Sequence, residues 1–123
     1  MRIQVIAAAC ALLVSTSAAA MPVSIFLQKA DALRAKGPLA LFSGDIKLLM
    51  DQIKADSAQL RAERLAAKAA NQKPAFCPPD SGVKLSDKDI MGAMQAVPVP
   101  QRPHIQTKDA MRGYMARRFP CPA

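Results

Sequence analysis

The stretches AFCPPDSG (residues 75–82) and RRFPCPA (residues 117–123) each place a cysteine beside proline and close to a phenylalanine. The chain between Cys77 and Cys121 has the pattern of two helices. If those helices are antiparallel, the start of one lies beside the end of the other, within the roughly 7 Å between Cα atoms that a disulfide requires. The sequence therefore predicts a Cys77–Cys121 disulfide that clamps a C-terminal antiparallel helix hairpin.

The first twenty residues have the pattern of a secretory signal peptide. Arg2 supplies a positive charge, residues 5–14 form an apolar run, and residues 18–20 are alanines. The run is shorter than the ~20 apolar residues of a transmembrane helix. We expect cleavage after Ala20, no stable membrane insertion, and export to the periplasm, with secretion from the cell as the alternative. Cys10 would leave with the peptide, and in an oxidising compartment the remaining pair, Cys77 and Cys121, would normally join.

Residues 21–123 are expected to form a single all-α domain, a small four-helix fold that contains the disulfide-clamped hairpin. Apolar periodicity and stop signals predict helices over residues 25–36, 44–70, 87–96 and 107–118. Ser24, Ser43 and Ser86 precede the first three helices, and Ser86 with Asp89 forms a capping-box pattern.

Three packing expectations follow from the same patterns. The segment PLALF (residues 38–42) is apolar and is expected to form one helical turn against the core. The apolar stripe of the second helix is predicted to comprise Ile46, Leu49, Met50, Ile53, Leu60 and Leu65, while its acids, Asp51 and Asp56 among them, are left mostly on other faces. The small residues of the hairpin, Gly92 and Ala96 on one helix and Gly113 and Ala116 on the other, are expected to touch.

Catalytic patterns are lacking, and we predict that the protein is not an enzyme and has no cofactor. The sequence has one histidine, His104, and one glutamate, Glu63, and no set of residues with nucleophile, base and acid spacing. Methionine pairs are the one feature that suggests a metal, because thioethers and imidazole bind Cu(I). The pairs Met91/Met94 and Met111/Met115 fall on apolar helix faces, however, where methionine is a common core filler, so we predict no metal site.

The charge balance of residues 21–123 is basic, with sixteen lysines and arginines against nine acids. Several of the basic residues fall in last helical turns, where they complement the helix dipole, and ordinary solvated surface explains them. An anionic envelope surface or an acidic protein partner is the functional alternative. Nucleic acid is not expected, because no stacking aromatic residues are interleaved with the basic ones.

The proline-rich loop VPVPQRPHIQ (residues 97–106) allows two interpretations that the sequence leaves open. It can be a stiff recognition loop in which Gln101, Arg102 and His104 contact a protein partner, because prolines reduce the entropy lost on binding. It can equally be a connector between the two clamped helices.

Residues 75–122 resemble the Rap/Tai family of periplasmic immunity proteins. The resemblance lies in FCPPDSGVKLSD (residues 76–87), an amphipathic helix, a proline-containing loop, a second helix and FPCP (residues 119–122). It implies a small exported helical protein, commonly dimeric, that binds and blocks a peptidoglycan amidase toxin. It also implies that Cys77 and Cys121 match the family's paired cysteines and that the surface around the last two helices engages a partner.

Two functions are therefore expected from the sequence. The first is an exported binding protein of the immunity type that occludes a secreted hydrolase toxin. The second is a small structural or chaperone-like envelope protein with no single cognate partner. Copper handling ranks third, and the resemblance to a commonly dimeric family makes a homodimer a further expectation.

Overall fold

The computed structural model describes residues 20–123, so the predicted signal peptide lies outside the described residues except for Ala20. Within that range the fold is all-α, as predicted, with helices α1 (Val23–Lys36), α2 (Gly44–Ala69), α3 (Asp87–Gln95) and α4 (Thr107–Arg118). Short 3-10 helices lie between α1 and α2 (Gly37–Phe42) and between α3 and α4 (Val99–Gln101). None of these helices combines the length and the hydropathy needed to cross a bilayer in this part of the chain.

The predicted capping signals of α2 and α3 are confirmed. The side chain of Ser43 accepts a hydrogen bond from the backbone N–H of Asp45 at 3.3 Å. At α3, Ser86 Oγ accepts from the N–H of Asp89 at 3.2 Å, and the Asp89 carboxylate accepts in return from the Ser86 N–H at 2.8 Å. This reciprocal pair satisfies two amides that have no partner within the helix.

Helix α1 begins two residues earlier than predicted, and Ser24 is not its cap. The N–H of Val23 donates to the carbonyl of Ile105 at 2.8 Å, and the N–H of Ser24 donates to the carbonyl of Arg102 at 3.1 Å. Because carbonyls from the loop between α3 and α4 satisfy the first amides, the helix needs no side-chain cap. A third backbone hydrogen bond joins the same two parts of the chain: the Thr107 N–H donates to the Met21 carbonyl at 2.9 Å.

The core lies where α1, α2, α3 and α4 meet, and all four helices contribute to it. Its buried apolar residues are Val23, Phe26, Leu27, Leu49, Leu60, Phe76, Ala93, Met94, Ala110, Met111 and Met115. On α2 the predicted stripe is only partly right: Leu49 and Leu60 are buried, whereas Met50 and Leu65 are about half exposed. At 100° per residue, Met50 lies about a quarter-turn around the helix from Leu49, and Leu65 lies almost on the opposite side of the helix from Leu49. Neither side chain can therefore face the core together with Leu49.

Asp56 is buried, contrary to the expectation that the acids of α2 lie away from the core. It falls seven residues after Leu49 and four before Leu60, at the centre of the buried face. Its carboxylate accepts from Thr107 Oγ1 at 2.6 Å and from Gln52 Nε2 at 2.9 Å. The bond to fully buried Thr107 ties the middle of α2 to the first turn of α4, and a buried carboxylate is tolerated because it is hydrogen-bonded.

The disulfide between Cys77 and Cys121 is present, with the Cα atoms 4.9 Å apart. A backbone hydrogen bond from the Cys77 N–H to the Phe119 carbonyl, at 2.8 Å, lies beside it. At the same end, Asp89 in the first turn of α3 contacts Tyr114 and Arg118 in the last turns of α4. The two helices are therefore antiparallel, and the predicted clamped hairpin is confirmed.

The small faces of α3 and α4 do not touch, so the expected glycine contact is wrong. A Cβ placed on Gly92 would meet no atom within 4 Å, and one on Gly113 would meet only the Arg117 guanidinium, at 3.3 Å. Larger residues make the contact instead, because Ala93, Met94, Met111 and Met115 turn inward and leave Gly92 facing solvent.

Removing the disulfide is expected to lower the free energy of unfolding by about 4 kcal/mol, because the bond closes a loop of 44 residues in the unfolded chain. The double substitution C77S/C121S should show this loss in urea denaturation. Dithiothreitol should destabilise the wild-type protein by the same amount and leave the double variant unchanged. A wild-type protein that is equally stable with and without reductant would contradict this role of the bond.

Candidate partner-binding surfaces

The loop between α3 and α4, residues 97–106, is tied into the fold. Arg102 donates through Nε to the Val97 carbonyl at 2.9 Å and through Nη2 to the Gln95 carbonyl at 3.1 Å. These carbonyls belong to the end of α3, where backbone acceptors lack helical partners and a cation is favoured. The Arg102 carbonyl in turn accepts from Ser24, as described above. The Arg102 side chain therefore caps the end of α3, and its carbonyl caps the start of α1. This role fits the interpretation of the loop as a connector.

The other two residues predicted to contact a partner, Gln101 and His104, are exposed. Their backbones continue the 3-10 turn, since the N–H of His104 donates to the Gln101 carbonyl at 2.9 Å. The three residues predicted to contact a partner therefore differ in their surroundings. The Arg102 guanidinium is engaged with the backbone, while the side chains of Gln101 and His104 face solvent on a turn that is held in place, and partner contact through them stays a prediction.

The segment predicted to pack on the core, residues 38–42, is instead the most exposed apolar part of the described chain. The helical turn is confirmed as a 3-10 helix, but Leu39 is 70% exposed, Leu41 78% and Phe42 88%. Apolar side chains this exposed on consecutive residues are unusual on a monomer and typically mark an interaction site. We call residues 37–42 the apolar corner, because they form the bend between α1 and α2.

Polar contacts fix the base of the apolar corner. Gly37 ends α1 with a φ of 58°, a left-handed conformation that costs glycine little. Across the bend, Lys29 pairs with Asp45 at 3.3 Å, and Lys36 Nζ donates to Ser43 Oγ at 3.4 Å. The apolar side chains are therefore presented on a turn braced from both helices, which reduces the conformational entropy lost when a partner binds.

The surface of the α3–α4 hairpin, for which the sequence predicts contact with a partner, carries a polar network at its clamped end. Tyr114 donates its hydroxyl proton to Asp89 Oδ1 at 2.6 Å, and Arg118 lies 3.5 Å from the same oxygen. The hydrogen bonds from Tyr114 and then from Ser86 lower the pKa of Asp89 to about 2. The carboxylate is thus held ionised as part of the capping box and of the interhelical contact.

A second network joins α2 to α4. Arg112 donates to both carboxylate oxygens of Glu63, at 2.9 and 2.8 Å, and Lys108 lies 3.3 Å away. Desolvation raises the pKa of Glu63, but these two cations more than offset it and hold the pKa below its ordinary value. The single glutamate is therefore a structural ion-pair partner, and Arg112 also pairs with Asp109 at 2.6 Å.

Three of the four paired methionines lie in the core, and the fourth lies at its edge. Met94, Met111 and Met115 are buried in the apolar cluster, and Met91 packs against it. His104 is on the surface. In residues 20–123 no three side chains among histidine, cysteine, aspartate and glutamate are grouped as a metal site would require.

Comparison with protein-family models, with curated proteins and with solved structures finds no match for this chain.

Replacing Arg102 with alanine is expected to destabilise the protein by about 1–2 kcal/mol, because the carbonyls of Gln95 and Val97 lose a charged donor. Urea denaturation of Arg102→Ala, Gln101→Ala and His104→Ala would measure this. The latter two side chains are exposed and should change stability by less than ~0.5 kcal/mol. If all three variants unfold alike, Arg102 has no special structural role.

The contribution of Asp89 to stability should depend on pH. The folded-state pKa, about 2, lies below the ordinary value of 3.8. The ionised carboxylate therefore stabilises the fold above about pH 4, and this stabilisation is lost as the pH falls towards 2. Melting temperatures between pH 2 and pH 6 should show the wild type above Asp89→Asn at pH 6, with a difference that shrinks below pH 4. The exposed loop variant Asp80→Asn is the control, and a constant gap between wild type and Asp89→Asn would contradict the assignment.

Proposed function

We propose that this chain is an exported binding protein of the immunity type, which occludes a secreted cell-wall hydrolase of the amidase class. The apolar corner is the observation that carries the proposal. An inhibitor that blocks a cleft needs a protruding, ordered element with a chemistry that a cleft can bury, and three large apolar side chains on a braced turn fit that requirement. The resemblance of residues 75–122 to periplasmic immunity proteins supports the same class of partner.

The energetic scale is adequate for tight binding. Burying a leucine or phenylalanine side chain contributes roughly 1.5–3 kcal/mol, and well-packed interface anchors often cost 2 kcal/mol or more when truncated. Leu41 and Phe42 are nearly fully exposed in the free protein, so most of this free energy is available on association. Their side chains contribute little to the fold, which allows binding and stability to be tested separately.

The double substitution L41S/F42S is expected to weaken binding to the cognate hydrolase by about 100-fold or more, because two apolar anchors are removed. The hydrolase to use is a cell-wall amidase encoded by a neighbouring gene, with affinity measured by calorimetry. Cells that export the hydrolase should be protected by the wild-type protein and not by this variant. Its melting temperature should stay within about 2 °C of the wild type.

Val99→Ser provides a matched control. Val99 is also a large apolar residue on a 3-10 turn, and it is 68% exposed, but it lies in the loop between α3 and α4. If the apolar corner is the occluding element, Val99→Ser binds as the wild type does. Loss of binding in Val99→Ser with retention in L41S/F42S would transfer the function to residues 97–106, and no association of the wild-type protein with the hydrolase would contradict the immunity proposal.

One observation favours the chaperone-like alternative. A largely apolar groove of about 460 Å³ lies between α1, α2 and α3, and its lining includes Leu33, Ile46, Met50, Ile90 and Met91. Methionine-lined apolar surfaces adapt to varied partners, as a holdase requires. Protection of several unrelated clients from aggregation, with no tight hydrolase complex, would favour this function. Absence of any such protection would remove it.

A further inference from the structure

The second half of α2 carries a positive face that is not neutralised. Arg61, Arg64 and Lys68 are spaced i, i+3 and i+7, which places them on one side of the helix. None of the three forms an ion pair with another residue of the range 20–123. The acid between them, Glu63, points to α4, where Arg112 and Lys108 hold it.

Arg61 and Arg64 line a cleft of about 430 Å³ between α2 and the loop that follows it. Its floor is apolar and belongs to the core, formed by Leu60, Phe76, Met111 and Met115. The opposite wall is residues 78–83, whose position is fixed by the disulfide at Cys77. This wall includes one acid, Asp80, so the cleft is lined by two cations and one anion.

Arg64, which lines this cleft, has a side-chain donor without a hydrogen-bond partner among residues 20–123. Its Nε atom is buried and has no hydrogen-bond partner in the described chain. A buried donor without an acceptor costs about 1–3 kcal/mol, more for a charged group. A guanidinium beside an apolar surface is best satisfied by a planar carboxylate, which can accept two parallel N–H bonds.

The wall of the cleft offers groups that a peptide can use. Within residues 78–83 the Gly82 N–H donates to the Pro79 carbonyl at 3.0 Å, whereas the amides of Ser81 and Val83 make no backbone hydrogen bond in the described chain. Lining residues whose amides lack a backbone partner within residues 20–123, an apolar floor and two guanidinium groups together match a peptide segment better than a simple anion.

We infer that this cleft binds a carboxylate-bearing peptide segment, in which a glutamate or aspartate pairs with Arg64 and Arg61 while a neighbouring apolar side chain rests on the floor. The site is separate from the apolar corner. Seventeen residues of α2 separate Gly44 from Arg61, which corresponds to about 26 Å along the helix axis. Binding here therefore does not depend on the hydrolase partner proposed above.

The Nε–H group of arginine gives its own signal in ¹⁵N–¹H correlation spectra, so the test can observe Arg64 directly. The probes are the capped dipeptide N-acetyl-leucyl-glutamyl amide and its glutaminyl counterpart, which differs only in lacking the carboxylate. The glutamyl probe should shift the Arg64 signal and the amides of residues 78–83 in a saturable way. The glutaminyl probe should not.

Arg64→Gln should weaken binding of the glutamyl probe at least 10-fold, and Arg64→Lys should recover only part of it because lysine lacks the planar fork. Arg117→Gln removes an exposed arginine that does not line the cleft and should bind as the wild type does. The variant L41S/F42S should also bind normally, which separates failure of this site from failure of the proposed function.

Three results would overturn the inference. Equal shifts from the two dipeptides would show that the carboxylate is not recognised. A stronger response to inorganic phosphate would assign the site to phosphate groups. A response of Arg64 to phosphatidylglycerol vesicles, with none to the dipeptide, would make this face a lipid-binding surface.

Discussion

The disulfide between Cys77 and Cys121 is the constraint on which the rest of the structure depends. The loop after α2 and the C-terminal segment have little regular structure of their own, and the bond joins them with Cα atoms 4.9 Å apart. It sets the antiparallel order of α3 and α4, brings Asp89 to Tyr114, and positions residues 78–83 opposite Arg64. A chain with one tyrosine, four phenylalanines and no tryptophan can bury only a modest apolar core, so the covalent closure is a large share of what stabilises it.

The N-terminal helix α1 packs against the disulfide-clamped half of the chain and shares its core. Its first amides are satisfied by carbonyls of the loop between α3 and α4, and its apolar face, including Val23 and Phe26, is buried in the common core. That loop is in turn closed by Arg102. Residues 97–106 therefore accept backbone hydrogen bonds from α1.

The sequence predicted the local features of this fold and missed those that depend on distant residues. The cap at Ser86 and the ends of α4 are each specified by residues within about one helical turn. The cysteine pair is specified by the chemistry of two thiols in an oxidising compartment. The burial of Asp56 depends on Thr107, 51 residues away, although its place between Leu49 and Leu60 on the helix was a usable signal. The apolar corner was misplaced for the same reason, because hydropathy cannot distinguish a buried turn from a protruding one.

The apolar corner and the cationic face of α2 differ in chemistry; the first lies immediately before α2 and the second lies on its second half. Just before α2 the exposed side chains of Leu39, Leu41 and Phe42 are apolar. Beyond Leu60 the helix carries Arg61, Arg64 and Lys68, while its one acid in that half, Glu63, is turned towards α4. Six of the nine acids of residues 21–123 are paired with lysine or arginine, whereas Arg61, Arg64 and Lys68 are not. A single stiff helix holds both surfaces at a fixed separation of about 26 Å. A macromolecule that contacted both would need an apolar pocket and an acidic segment at that spacing, and this geometric requirement is far more restrictive than a general attraction to a basic protein.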